Sequence, residues 1–323
     1  MSLERFDAYV ARCLPDILAD LSALCRIPSV SAENGPAMED ARRLVERLCQ
    51  QAGLRTEVVP QPGGPAIVLA RGGSGPRRLM IYNHYDVQPP DPLDEWTSPP
   101  FEPTVRDGKL FARGAADNKG DLVARLWALR AYQEAVGPLP VEVLFVIEGE
   151  EEVGSRHLAS FAAEHAGLLR TVDGCLWEFG YKNSQGQPVV HLGVKGILSV
   201  ELRVRTAETD AHSGLGGLLP NAAWRLVEAL STLRSADGRV LIDGLADRVR
   251  PASASELALL ETLPWEGEEL RHTYGLRRDF LGGLAGTAAL HRLLFEPTVT
   301  INGLLAGYTG PGSKTVIPSQ AMA

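Results

Sequence analysis

The chain has 323 residues, 45% of them hydrophobic and 22% charged, the balance of an ordinary globular protein long enough for two domains. Its net charge of −8 argues against nucleic acid or an anionic membrane surface as the main partner. Cys13, Cys25, Cys49 and Cys175 form no CxxC pair, as expected of buried thiols in a reducing compartment, so a cytoplasmic location is the default expectation.

The opening MSLERFDAYVARCLPDILADL interleaves charge with apolar residues and builds no signal-peptide core. Phe6, Val10, Leu14, Ile17, Leu21 and Leu24 recur at steps of three and four, which predicts an amphipathic helix over residues 4–25 packed on a core. Further helices are expected near 36–52, 119–136 and 155–165, and strands near 56–60, 66–71, 78–83, 141–147 and 172–177. LMIY and VLFVI are apolar on both faces, so these strands imply an α/β fold, a mostly parallel sheet flanked by helices. In such a sheet ligands gather at the carboxyl ends of the strands. From about residue 190 the pattern changes: VVHLGVKGILSVELRVRT alternates partly with period two, and PNAAWRLVEALSTL is helical. A long strand followed by a helix suggests a separate α+β unit, with a boundary placed at residue 193. No apolar run approaches the roughly 20 residues that span a bilayer, so no membrane partner is expected.

Three charged clusters follow strands. In YNHYDVQPP, His84 can hold a metal while the carboxylate of Asp86 orients its ring; taken alone, a satisfied structural histidine is an equal reading. In ARGAADNKGD, Asp117 lies in a turn before a helix, where a solvated loop or a helix cap is the plainer reading. VIEGEEEVGS sets four glutamates in five positions at the end of a buried strand, and such crowding repels unless water or a cation relieves it. On one rim of one sheet, the three clusters together favour a metal site over any bland reading of each.

HYDVQP, W-x-SPPFEP with DGKL and RGAADNKG, EGEEEVGS, DAHSG and GPGSKTVIP also stand in the order and approximate spacing of the dinuclear zinc peptidase family of dipeptidases, aminoacylases and glutamate carboxypeptidases. The chain most resembles the carnosine-dipeptidase-like branch, from about residue 20 onward. The resemblance implies two Zn2+ ions, with Mn2+ or Co2+ as alternatives, and hydrolysis of a small peptide substrate. It implies His84 as a ligand of one ion, Asp117 as the bridging carboxylate, Glu151 as the general base and Glu152 as a ligand of the second ion. Glu178, in CLWEFG, stands where the family usually has aspartate, and Glu148 and Glu150 remain as supporting charges. His212 in DAHSG would stabilise the oxyanion, often from the partner subunit, and Thr315 with Lys314 would lie near the substrate carboxylate.

On this resemblance residues 1–192 are a catalytic domain and 193–323 an incomplete lid and dimerisation domain of a homodimer. The family continues beyond VIPSQAMA, where it supplies a substrate-binding arginine and a last histidine ligand, so a truncated chain short of one zinc ligand is expected. The alternative functions are an N-acyl amino acid amidohydrolase and an inactive fragment or metal- or peptide-binding pseudoenzyme. Retention of Glu151 favours an enzyme over a pseudoenzyme, and the expected truncation favours the fragment.

Overall fold

Two helices, α1 (Leu3–Cys25) and α2 (Ala37–Gln51), lead into β1 (Arg55–Gln61), β2 (Gly64–Gly72) and β3 (Arg78–His84). The computed structural model describes residues 3–323, which divide into one compact unit ending at Tyr181 and another beginning at Lys182. The first unit continues with the short hairpin β4 (Thr104–Arg106) and β5 (Lys109–Phe111), then α3 (Gly120–Ala135), β6 (Glu142–Glu148), α4 (Leu158–Glu164), α5 (Ala166–Leu169) and β7 (Gly174–Leu176).

The five long-range strands form one sheet in the order β1-β2-β6-β3-β7. The sheet is mixed. β3 pairs parallel with both β6 and β7, as expected for strands joined through helices, whereas β1 pairs antiparallel with β2, and β2 with β6. For β1 and β2 the reason is local: Pro62 and Gly63, the latter at φ +82°, leave only a tight turn between them, and a parallel pair needs a long crossover. Residues on one face of the sheet, among them Val68, Ile81, Phe145 and Ile147, join Leu24, Val45, Leu122 and Trp127 of the helices in the main core. The other face buries Leu69, Tyr82, Leu144 and Val146 against Phe161 of α4.

Tyr9, Cys13, Ile17, Leu21 and Leu24 are the α1 residues that face this core, while Leu14 is exposed. Leu14 fits the three-and-four spacing equally well, but the stripe drifts around a helix of this length and only one face can be covered.

The second unit opens near β8 (Tyr181–Lys182) and β9 (Pro188–Val189), two-residue strands that pair with each other. It continues with β10 (Arg203–Arg205), β11 (Ala211–His212), α6 (Ala222–Ser231), α7 (Ala254–Leu260), α8 (Gly267–Tyr274), α9 (Gly286–Phe295), β12 (Leu305–Ala306), β13 (Val316–Ile317) and β14 (Gln320–Met322). β14 lies between β10 and β12, and Ala222 and Leu226 of α6 pack on Ala321. Asn221 starts α6 by accepting the amides of Ala223 and Trp224, and Ser253 with Glu256 makes a capping box on α7.

The long strand expected from residue 190 is a correction. Residues 190–202 carry no regular secondary structure, and only Arg203–Arg205 enters a ladder, against the three residues of β14. Leu192, Val194, Ile197 and Leu198 are exposed, so the alternation in this segment has no neighbouring strand in the unit to support it.

Phe145, at the centre of the sheet, is fully buried. Phe145→Ala should destabilise the first unit by about 3–5 kcal/mol, read as a lowered denaturant midpoint; an unchanged midpoint would place the core elsewhere.

Candidate metal centre

β3 and β6 end flush. Their parallel register sets His84 opposite Glu148, so the chain leaves both strands on one rim. Gly149 is required here, because a Cβ at that position would lie 2.4 Å from the Tyr85 ring, whose hydroxyl donates to the Ala66 carbonyl. Gly114, before the Asp117 turn, is at φ +77°, and a Cβ there would meet Val87 at 2.4 Å. The turn Ala115–Lys119 is broken at Asp117 (φ −128°, ψ 99°), which leaves the Asp117 side chain largely exposed while Asn118 and Lys119 are buried. Lys119 donates to the carbonyls of Leu24 and Ile27 at 3.0 and 2.8 Å, tying the turn to the end of α1, and burial lowers its pKa to about 8.

Asp86 joins the two strand ends. Fully buried, its carboxylate accepts the backbone N–H of Glu151 (3.2 Å) and of Glu152 (3.0 Å). His84 Nδ1 lies 3.2 Å from an Asp86 carboxylate oxygen and 3.2 Å from its carbonyl oxygen, both acceptors, so Nδ1 carries a proton and Nε2 is turned to the carboxylates on the open side. There Asp117 Oδ1 is 3.0 Å from Nε2, Glu178 Oε2 3.5 Å and Glu151 Oε2 3.9 Å. Burial alone would lower the His84 pKa, but hydrogen bonds to Asp117 and Asp86 raise it to about 11. The same crowding acts on the acids. Burial and the charges of Glu151 and Asp117 raise Glu178 to about 7, and burial raises Glu151 and Glu152, while the hydrogen bond from His84 lowers Asp117.

A divalent cation fits this donor set. His84, Asp117 and Glu152 offer ligand atoms within 4.8 Å of one another, and so do His84, Glu151 and Glu178. Ligands about 2.0–2.2 Å from a tetrahedral ion stand about 3.3–3.6 Å apart, within the spread of the Nε2 distances. Glu178 Oε2 is buried without a hydrogen-bond partner, a costly state for a carboxylate oxygen that a cation would relieve.

Glu148 and Glu150 turn away from this cluster. Glu148 takes the Tyr82 hydroxyl and, at 2.8 Å, that of Ser155; Glu150 meets His157 Nδ1 at 2.7 Å. Gln88 donates to the Glu152 carboxylate and carbonyl at 2.9 and 3.0 Å. The second unit brings His212, Lys314 and Thr315 together: His212 pairs with Val316, Ser213 N–H donates to the Thr315 carbonyl at 2.9 Å, and the Lys314 amine sits 4.5 Å from the centre of the Tyr308 ring. Sequence reasoning missed Gln88, Asn83, Asn118 and Arg125. The two asparagines lie inside quoted motifs, but Arg125 lies beyond any motif and its bonds are mostly to backbone, which leaves no residue-type signature.

A mixed α/β sheet with histidine and carboxylates on its carboxyl rim defines a metallohydrolase-like centre. Residues 80–305 match peptidase family M20/M25/M40. The Cys-Gly metallodipeptidase dug1 of Schizosaccharomyces pombe is 30% identical over 338 residues, covering 100% of this chain and 71% of that protein. The Beta-Ala-His dipeptidase of Homo sapiens is 33% identical over 262 residues, 80% of this chain and 51% of its own length. The crystal structure of the M20 family metallo-carboxypeptidase Sso-CP2 from Sulfolobus solfataricus superposes with a TM-score of 0.85 at 34% identity, over 95% of this chain and 69% of that one. Human carnosine dipeptidase 1 gives 0.76 at 27% identity, over 99% and 71%. The chain belongs to peptidase family M20/M25/M40. It spans about half to seven-tenths of the length of these relatives.

Asp86→Asn keeps the shape but turns an amide N–H toward the Glu151 and Glu152 amides or toward His84. About 10–100-fold weaker metal binding is expected, measured by chelator competition; undiminished affinity would show that Asp86 does not orient the centre.

Proposed function

We propose that the protein is a metallodipeptidase that hydrolyses the peptide bond of dipeptides or short peptides at this rim, with two divalent ions, zinc being the expected metal. The observation that carries the reading is the buried, unpartnered Glu178 Oε2 beside His84 Nε2 in a cluster of carboxylates. His84 and Glu178, 3.5 Å apart, would share one ion, Asp117 would bridge, and Glu152 would hold the other. When bound, such ions lower the pKa of water and polarise the scissile carbonyl.

By the family resemblance Glu151 is the group that moves protons. It stands 3.9 Å from His84 Nε2, its side chain is one-third exposed, and burial raises its pKa above that of an ordinary carboxylate, toward the range of an effective base. It would take a proton from water and deliver it to the leaving amine nitrogen. In the second unit His212 Nδ1 accepts the Gly214 N–H at 3.0 Å, so in the neutral ring Nε2 carries the proton and is a donor suited to an oxyanion. In this reading it acts from the partner subunit of a homodimer, residues 193–323 form the lid and dimerisation domain, and Lys314 and Thr315 bind the substrate carboxylate. The relatives' names, Cys-Gly and Beta-Ala-His dipeptidase, support a dipeptide substrate. Among the described residues no helix is long and apolar enough to cross a membrane, and a cytoplasmic location is part of the proposal.

Elemental analysis and a dipeptide assay test the assignments together. Glu151→Gln should retain metal and lose about 10²–10⁴-fold in kcat, whereas Asp117→Ala should lose metal as well. Equal metal loss in both variants would mean that base and ligand have been exchanged.

A further inference from the structure

β7 stops at Leu176, paired with Ile81, two residues before Glu178. Continued in register, the ladder would set Trp177 and Glu178 beside Tyr82 and Asn83. A guanidinium takes over that task. From α3, Arg125 Nη2 donates to the carbonyls of Trp177 (2.5 Å) and Glu178 (2.9 Å), and Nη1 donates to the Tyr82 carbonyl (2.9 Å) and to Asn83 Oδ1 (3.0 Å). The buried Asn83 amide donates to Asn118 Oδ1, and Asn118 Nδ2 donates to the Glu178 carbonyl at 2.9 Å. The bonds close a ring through Arg125, Asn83, Asn118 and Glu178. The three members besides Arg125 touch the proposed ligands: Asn83 precedes His84, Asn118 follows Asp117, and the ring's last acceptor belongs to Glu178 itself. The Trp177 ring, stacked on Tyr82 at 4.0 Å, holds the same segment from its other side.

We propose that Arg125 is a positioning residue which, with Asn83 and Asn118, sets the Glu178 carboxylate against His84 and Asp117 and thereby fixes the affinity of the centre for the ion Glu178 holds. The proposal rests on the metal-centre reading above. Only arginine has the planar fork to serve four acceptors on two segments at once; a lysine offers one nitrogen. A backbone carbonyl held on both sides leaves the Glu178 side chain few ways to point, which is how a supporting hydrogen bond acts on a metal ligand.

The test is a Co2+ titration of the full chain, followed by visible absorption and checked by chelator competition. Arg125→Lys should weaken Co2+ binding about 10–100-fold. In a Glu178→Ala background the same substitution should change little further, because the effect passes through Glu178. Unchanged affinity of Arg125→Lys overturns the proposal, and so does an equal loss in both backgrounds, the mark of a general structural role. If Arg125→Lys loses its cooperative thermal transition without metal, Asn118→Ala reads the same carbonyl through the other donor. A tenfold or greater loss supports the clamp there, and unchanged affinity overturns it. Failure of the unsubstituted chain to take up Co2+ would instead overturn the metal-centre reading, and is seen before any variant is made.

Discussion

The buried carboxylate of Asp86 is the constraint on which the site depends. A carboxylate with no exposure must be supplied with donors, and here they come from two places distant in sequence: the ring of His84, two residues earlier, and the amides of Glu151 and Glu152, beyond the neighbouring strand. Satisfying Asp86 therefore forces the ends of β3 and β6 to converge, and the glutamates that follow β6 are brought over the open side of the histidine. The parallel register of His84 with Glu148 makes this geometry available, and Gly149 permits it by leaving room for the Tyr85 ring.

Convergence has an electrostatic consequence. The acids at the rim divide into those with hydrogen-bond donors of their own and those that crowd around His84 Nε2. Glu148 has Tyr82 and Ser155, Glu150 has His157, and Glu152 has Gln88. Asp117 and Glu178 are left facing one imidazole nitrogen, and Glu178 keeps an orphan oxygen. A network satisfied everywhere except around one small region is a poor arrangement for stability and a good one for holding a cation. The four glutamates that look alike in sequence thus differ sharply in surroundings.

His84, Asp117 and the glutamate run stood out in the sequence as charged clusters past strand ends, whereas the separate roles of Glu151 and Glu152, and Glu178 altogether, came only through the family resemblance. Structure brings all five to one rim. Asp86 was legible as an orienting group, but its hold on the Glu151 and Glu152 amides was not, since a bond to a backbone amide imposes no residue type on the amide's owner. Arg125 escaped for the same reason. In the second unit the segment from residue 190 misled because alternation records which side chains are apolar, whereas a strand also needs a neighbour, and β14 reaches only Arg203–Arg205. The tight turn at Pro62–Gly63, by contrast, was there to be read, and it makes part of the sheet antiparallel.

These placements share a physical logic. The rim carboxylates sit outside the ladders, where no strand pairing fixes the backbone: Asp117 in a broken turn before α3, Glu151 and Glu152 after β6, Glu178 after β7. At each point a polar side chain supplies bonds that no ladder does: Lys119 ties the Asp117 turn to the end of α1, Asp86 accepts the Glu151 and Glu152 amides, and Arg125 donates to the Glu178 carbonyl. The rigidity of the site is therefore separate from the core. The apolar faces of β3 and β6 stabilise the sheet, and a small set of buried polar groups sets the directions of the ligands. A carboxylate at the rim is free to serve chemistry because the fold does not rest on it.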